Sequence, residues 1–202
     1  YFITGSDQVW NPMYNKETSI NFLTFTPCDK RIAYSASFGI SYIPHEFKEQ
    51  YQNWLSEFAC LSVREQAGAD LIKELTGRDA PVLIDPTLML TKEKWLTIAK
   101  EANNKPEQKY ILTYFLGRIP KETHKTLKYI ADKNDLKIVN LVDVKDRETY
   151  IAGPAEFIDY INSASILCTD SFHGCVFSIL METPFIVFDR VGSQSMFSRI
   201  DT

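Results

Sequence analysis

The sequence contains no block of lysine and arginine, no Cys-x-x-Cys pair, no apolar run of membrane-spanning length and none of the glycine-rich loops that cradle nucleotide phosphates. Each absence removes a class of function. With a net charge of −4 and no basic stripe interleaved with aromatics, nucleic-acid binding has no electrostatic support. No stretch approaches the ~18 apolar residues of a membrane span. Without Gly-x-Gly-x-x-Gly or a Gly-Lys-Ser/Thr loop, nucleotide binding by those devices is not expected. The four cysteines, Cys28, Cys60, Cys168 and Cys175, are scattered, and three of them sit in apolar runs. That pattern predicts reduced, buried thiols in a cytosolic protein and argues against zinc, and no cofactor is expected. Histidine is scarce too. His45 and His124 fall in polar, helix-like stretches and read as solvated surface, which leaves His173.

What is present is a real core: 45% of the 202 residues are hydrophobic, enough for one large domain or two small ones. The chain opens on Tyr1-Phe2-Ile3-Thr4-Gly5 in mid-strand pattern and stops shortly after an apolar strand, so it reads as a piece of a longer protein. Strands are predicted at 1–4, 22–25, 31–37, 60–64 and 81–86, with helices at 47–58, 65–76 (ended by Gly77) and 92–102 (capped by Thr91). Asn103 to Lys109 is polar and proline-containing, the expected linker. The rhythm then restarts with strands at 110–115, 137–142, 165–168 and 185–188. Helices fall at 120–133, from Pro154, and after residue 170; Asp143 to Gly153 is polar and irregular. Strand and helix alternate twice over, which predicts an α/β protein of two units with parallel sheets, residues 1–104 and 105–202. In such sheets ligands lie beyond the carboxyl ends of the strands.

That rule picks out Thr169-Asp170-Ser171-Phe172-His173-Gly174, where a buried strand gives way to an apolar helix. The free N–H groups of a helix start make it a place for an anion. Asp170 and Ser171 are both strong helix N-caps, while an imidazole changes charge near neutral pH. His173 is the residue most suited to chemistry. Gly117-Arg118 follows strand 110–115, glycine allowing close approach and arginine offering a fork of donors for carboxylate or phosphate. Gly5-Ser6-Asp7-Gln8 follows the first strand and suits either a hydroxylated substrate or an Asx turn. Ser37-Phe38-Gly39, Arg64-Glu65 and Asp189-Arg190 also end strands; Arg64 with Glu65 reads as a ligand contact or a structural pair, and Asp85-Pro86 as a turn.

Six segments in order resemble the polysaccharide pyruvyl transferase family: Gly5-Ser6-Asp7-Gln8-Val9-Trp10-Asn11, Tyr34 to Gly39, Leu61-Ser62-Val63-Arg64-Glu65, Asp85-Pro86-Thr87-Leu88, Gly153 to Phe157, and Thr169 to Gly174. The resemblance implies two Rossmann-like units in a GT-B-like arrangement, with the first part of the N-terminal unit missing from this chain. It implies transfer of pyruvate from phosphoenolpyruvate to two hydroxyls of a sugar, forming a cyclic ketal, with a saccharide acceptor that is free or lipid-linked. Residues 1–104 would be the acceptor side and 105–202 the phosphoenolpyruvate side. His173 matches the family's functional histidine, and the loop Asp170, Ser171, Phe172, His173, Gly174 would contact the donor; this chain has Ser171 where some members carry arginine. Gly117-Arg118 would clamp an anion, and Asp7 or Asp170 would act as base. Gly5, Ser6, Gln8 and Arg64 would line the substrate site. The setting would be cytoplasmic, free or at the inner face of the membrane with a glycan assembly system. Metal requirement and oligomeric state stay open. Two other readings use the same architecture: a glycosyltransferase or sugar epimerase acting on a nucleotide sugar, and a non-catalytic glycan-binding relative.

Overall fold

The structure, a computed structural model, describes residues 1–14, 19–142 and 147–191. Part of the expected irregular stretch (143–146) and the last segment (192–202) lie outside the described residues. The chain divides into two compact units, the first covering Tyr1–Met89 and the second starting at Leu90. Both are α/β with parallel strands, as the alternating pattern predicts.

In the first unit β1 (Phe2–Gly5) and β2 (Arg31–Tyr34) run parallel, Phe2 opposite Arg31 and Gly5 opposite Tyr34. The pairing continues past β2: Ala33 N–H donates to Cys60 O at 2.9 Å, and Ser62 N–H donates to Ala33 O at 3.0 Å. Val63 bridges Ala36 on one side and Val82 on the other, also in parallel. The expected strands at 60–64 and 81–86 are therefore there as short extended segments. Ser35 cuts β2 short: its φ of 49° lies in the left-handed region, where an extended ladder cannot continue.

The expected strand at 22–25 is not formed. Ser19–Phe22 is a single 3₁₀ turn, and Leu23 follows with a φ of 54°. Packing overrides strand propensity here, because Phe22 and Leu23 are drawn into the core. Trp10, fully buried, lies parallel to Phe22 at 5.5 Å and touches Phe38 and Phe58. Helix α1 (His45–Ser56) lays Tyr51 and Leu55 on this cluster, and the Tyr51 hydroxyl donates to Trp10 O at 3.0 Å. Burial raises the Tyr51 hydroxyl above its ordinary pKa, which keeps it a donor. Helix α2 (Gln66–Thr76) ends at Gly77, whose φ of 73° is the left-handed turn expected there.

The second unit is a four-stranded parallel sheet in the order β4-β3-β5-β6, from β3 (Tyr110–Tyr114), β4 (Lys137–Asn140), β5 (Ile166–Thr169) and β6 (Phe185–Val187). Period-two alternation gives the sheet two apolar faces. Tyr110, Leu112 and Leu167 pack against Ile158 and Ile161 of α6 (Pro154–Ser163) and Met181 of α7 (Phe172–Met181); Ile111 and Cys168 pack against Leu127 and Ala131 of α4 (Lys121–Lys133). The short helices α3 (Lys92–Leu96) and α5 (Arg147–Tyr150) complete the unit.

Helix α3 has the predicted Thr91 cap but stops six residues earlier than its pattern suggests. Lys100 N–H donates instead to Ala155 O at 3.2 Å, and Trp95 meets Phe177 edge-on at 5.1 Å. Tertiary bonds replace helical ones, and residues 92–102, grouped by pattern with the first unit, belong to the second. The 103–109 segment lies inside that unit, where Lys105 Nζ bonds Asp159 at 2.8 Å.

His45 and His124 are exposed, as their polar surroundings predict. Of the three cysteines expected in the interior only Cys168 and Cys175 are buried; Cys60, like Cys28, is exposed, because its segment is at the end of a strand-like run rather than inside one. Burial pushes both the Cys168 and Cys175 thiols up to about 11. At pH 8 a colorimetric disulfide reagent should modify Cys28 and Cys60 rapidly, with the other two reacting only in denaturant. Because those two thiols have raised folded-state values, their contribution to stability is intact below the ordinary value of 9.0 and falls as pH rises towards about 11. Trp10→Ala should lower unfolding free energy by about 3–5 kcal/mol, read by denaturant titration, since it empties the centre of the aromatic cluster.

Candidate functional site

Polar residues collect at the carboxyl end of each sheet, and each collection hangs on one buried carboxylate. In the first unit it is Asp85, 1% exposed. Its Oδ2 accepts from Ser6 Oγ and from the Arg64 guanidinium, both at 2.8 Å, and its Oδ1 accepts from Thr87 N–H and Oγ. Arg64 is itself buried, with Nε 4.0 Å from Glu65 Oε2. Glu65 Oε1 receives the Ser37 hydroxyl and the N–H groups of Phe38 and Gly39. Four chain segments thus meet through two carboxylates and one guanidinium.

This network shapes the Gly5–Gln8 loop. A side chain at Gly5 would come within 1.8 Å of Tyr34 O, so only glycine fits against β2. Ser6 follows with a φ of 60°, a strained left-handed conformation that its bond to Asp85 holds. Gln8 Oε1 accepts from Asn11 Nδ2 at 2.6 Å, and a Cβ at Gly39 would collide with the Gln8 side chain. Asp7 is left pointing out at the tip, exposed to solvent. Asp85, read from sequence as a turn residue, is the centre of the cluster. Its role could not be read locally, since Ser6 and Arg64 lie 79 and 21 residues away.

In the second unit the carboxylate is Asp170, at the end of β5 and 1% exposed. Oδ1 accepts the Leu116 N–H at 2.7 Å and Oδ2 the Gly117 N–H at 2.8 Å. Arg190, from beyond β6, donates Nε to Oδ2 at 3.3 Å and Nη2 to the Asp170 carbonyl at 3.0 Å. Gly117 is packed so tightly that an added Cβ would meet Arg190 Cγ at 2.6 Å and Asp170 Oδ2 at 2.9 Å. The next residue, Arg118, is exposed. Asp170 therefore fixes the backbone that carries Arg118, and both its oxygens are engaged in doing so.

Ser171 caps α7, its Oγ accepting the Gly174 N–H at 3.3 Å. Thr169 Oγ1 donates to Tyr114 O at 2.6 Å, accepts from Ser171 N–H at 3.0 Å, and would lie 2.7 Å from a Cβ at Gly174. The helix start is thereby welded to β3 and β5. Phe172 and His173, both half-buried, stand edge to face at 5.4 Å on the first turn. His173 lines a cavity of about 510 Å3, together with Tyr114 from the end of β3, Leu141 and Val142 just past β4, Tyr150, and Gly153, Pro154 and Phe157 at the start of α6. Among the described residues no cluster of side chains has the make-up of a metal centre, and no helix is long and apolar enough to cross a membrane.

A parallel sheet, a tightly bonded strand-to-helix turn and a histidine opening on a cavity fit many transferases; which one is decided by sequence order along the whole chain. The family model for polysaccharide pyruvyl transferases matches residues 1–190. The chain belongs to the polysaccharide pyruvyl transferase family. Searching the curated proteins gives no match to it. In this pyruvyl transferase family member the six sequence segments that carry the resemblance divide between the two networks: 5–11, 34–39, 61–65 and 85–88 around Asp85, and 169–174 around Asp170, with 153–157 on the cavity. Sequence reasoning marked Arg190 as a strand-end candidate without its bond to Asp170, and did not find Tyr114 or Tyr150. An aromatic ring at a strand end was the available signal for Tyr114.

Replacing Asp170 by alanine should cost about 3–5 kcal/mol of stability in denaturant titration, because it leaves Arg190 and two buried N–H groups without their acceptor.

Proposed function

We propose that this protein transfers a pyruvyl group from phosphoenolpyruvate to two hydroxyls of a saccharide in a polysaccharide or its precursor, forming a cyclic ketal and releasing phosphate. The observation that carries this reading is His173, placed on the first turn of α7 at the carboxyl end of a parallel sheet and opening on a cavity. An acceptor hydroxyl adds to C2 of the donor while C3 takes a proton and becomes a methyl group. The C2–O bond to phosphate breaks, and a second hydroxyl closes the ketal. The two hydroxyl protons end on the methyl group and on phosphate, so the step balances without a redox partner.

His173 serves as the acid at C3 or as a donor to the departing phosphate. The N–H groups of the α7 start and Arg118 meet the anionic end of phosphoenolpyruvate, with Ser171, Phe172 and Gly174 shaping that turn. Asp170 is spent on positioning, which leaves Asp7, exposed at the tip of its loop, as the base. Gly5, Ser6, Gln8 and Arg64 support that loop. The second unit is then the donor side and the first the acceptor side, in a GT-B-like pair. A nucleotide-sugar enzyme is the second reading, since it would use the same strand ends.

The test uses the full-length protein with phosphoenolpyruvate and a panel of saccharides, following phosphate release and the ketal methyl signal by NMR. His173→Ala should fold, as judged by thermal melting, and lose ketal formation by roughly 10²–10⁴-fold. Stabilisation by nucleotide sugars and not by phosphoenolpyruvate would sink the pyruvyl-transfer reading.

A further inference from the structure

The cavity beside His173 has a wall that phosphoenolpyruvate does not explain. Among the described residues, its lining includes no lysine, arginine, aspartate or glutamate. A trianionic donor needs cations, and the exposed Arg118 is not among the cavity's lining residues. The space is also generous: about 510 Å3 lies within the range of pockets that hold drug-sized ligands, and phosphoenolpyruvate is far smaller than those.

The wall itself is apolar and aromatic, with Leu141 and Val142 on one side and Tyr114, Tyr150 and Phe157 on the other. Phe157 is held in place. Tyr114 meets it at 5.0 Å and 64°, and Phe177 meets it at 5.7 Å and 87°, both edge-to-face contacts. Ligand binding would therefore freeze little side-chain freedom in that ring. Tyr150, half exposed at the rim, adds a second ring with a hydroxyl. Neutral, rigid rings with polar groups at the edge suit a ligand that has an apolar face and a hydroxylated rim. A pyranose has both: its axial C–H groups make the face and its hydroxyls the rim.

We infer that this cavity seats the pyranose ring that receives the ketal, stacked on Phe157 and Tyr150 with two of its hydroxyls turned towards His173. This rests on the pyruvyl-transfer reading and adds an acceptor subsite to the donor unit.

Saturation-transfer NMR on the full chain, with methyl glycosides of the common hexoses as probes, tests the inference. At least one glycoside should take up saturation, and Phe157→Ala should abolish the signal. Tyr150→Ala, at an exposed position that folding does not need, should weaken it as well. In the transfer assay either variant should raise the acceptor KM roughly tenfold and leave the phosphoenolpyruvate KM within about twofold. Signals that persist in both variants would overturn the inference, as would a nucleoside such as uridine displacing every glycoside. If phosphoenolpyruvate still binds and ketal still forms in that case, only the subsite has failed. If phosphoenolpyruvate does not bind at all, the pyruvyl-transfer reading has failed with it.

Discussion

Asp170 puts a carboxylate where almost no water reaches, and the geometry of the second unit's candidate site follows from how that carboxylate is satisfied. Two backbone N–H groups and one guanidinium converge on it. A buried acceptor left without donors costs far more than each bond gains, so the loop after β3 and the segment after β6 have one good place to be. Gly117 must then be glycine, Arg118 must emerge beside it, and the first turn of α7 must start where Ser171 can cap it. The half-buried His173 inherits its position from these constraints.

The first unit repeats the device with different residues. Asp85 and Glu65 draw together loops from every strand end, and the strained φ of Ser6 is tolerated because its hydroxyl is tied down. In both units the reactive-looking residue is exposed, and a buried acid behind it holds the backbone: Asp7 ahead of Asp85, Arg118 ahead of Asp170. Some residues marked by their chemistry thus belong to the frame, Arg64 and Asp170 above all. Phe157, marked only by family resemblance, takes its place on the cavity wall because two edge-to-face rings fix it there.

Long periodic elements were legible in the sequence. The 47–58 face, the helix ending at Gly77, the strand at 110 and the turn into α7 all stand where spacing puts them, because apolar period and capping act over a few residues. Short apolar runs were not. Phe22 to Phe25 has strand composition, but the nearby Trp10 cluster claims Phe22 and Leu23 and the backbone turns to deliver them. Helix α3 was read too long for a similar reason, since its later N–H groups find partners on α6.

By itself the sequence determined the α/β class, the parallel strand-helix rhythm and the family, since these depend on local pattern and on residue order. Tertiary structure decided what the polar residues do. A carboxylate's role depends on which donors reach it, and for Asp85 and Asp170 those donors come from up to 79 residues away. Only folding brings them within hydrogen-bond distance, and only then does an acid that could have been a base become the fixed point around which the site is built.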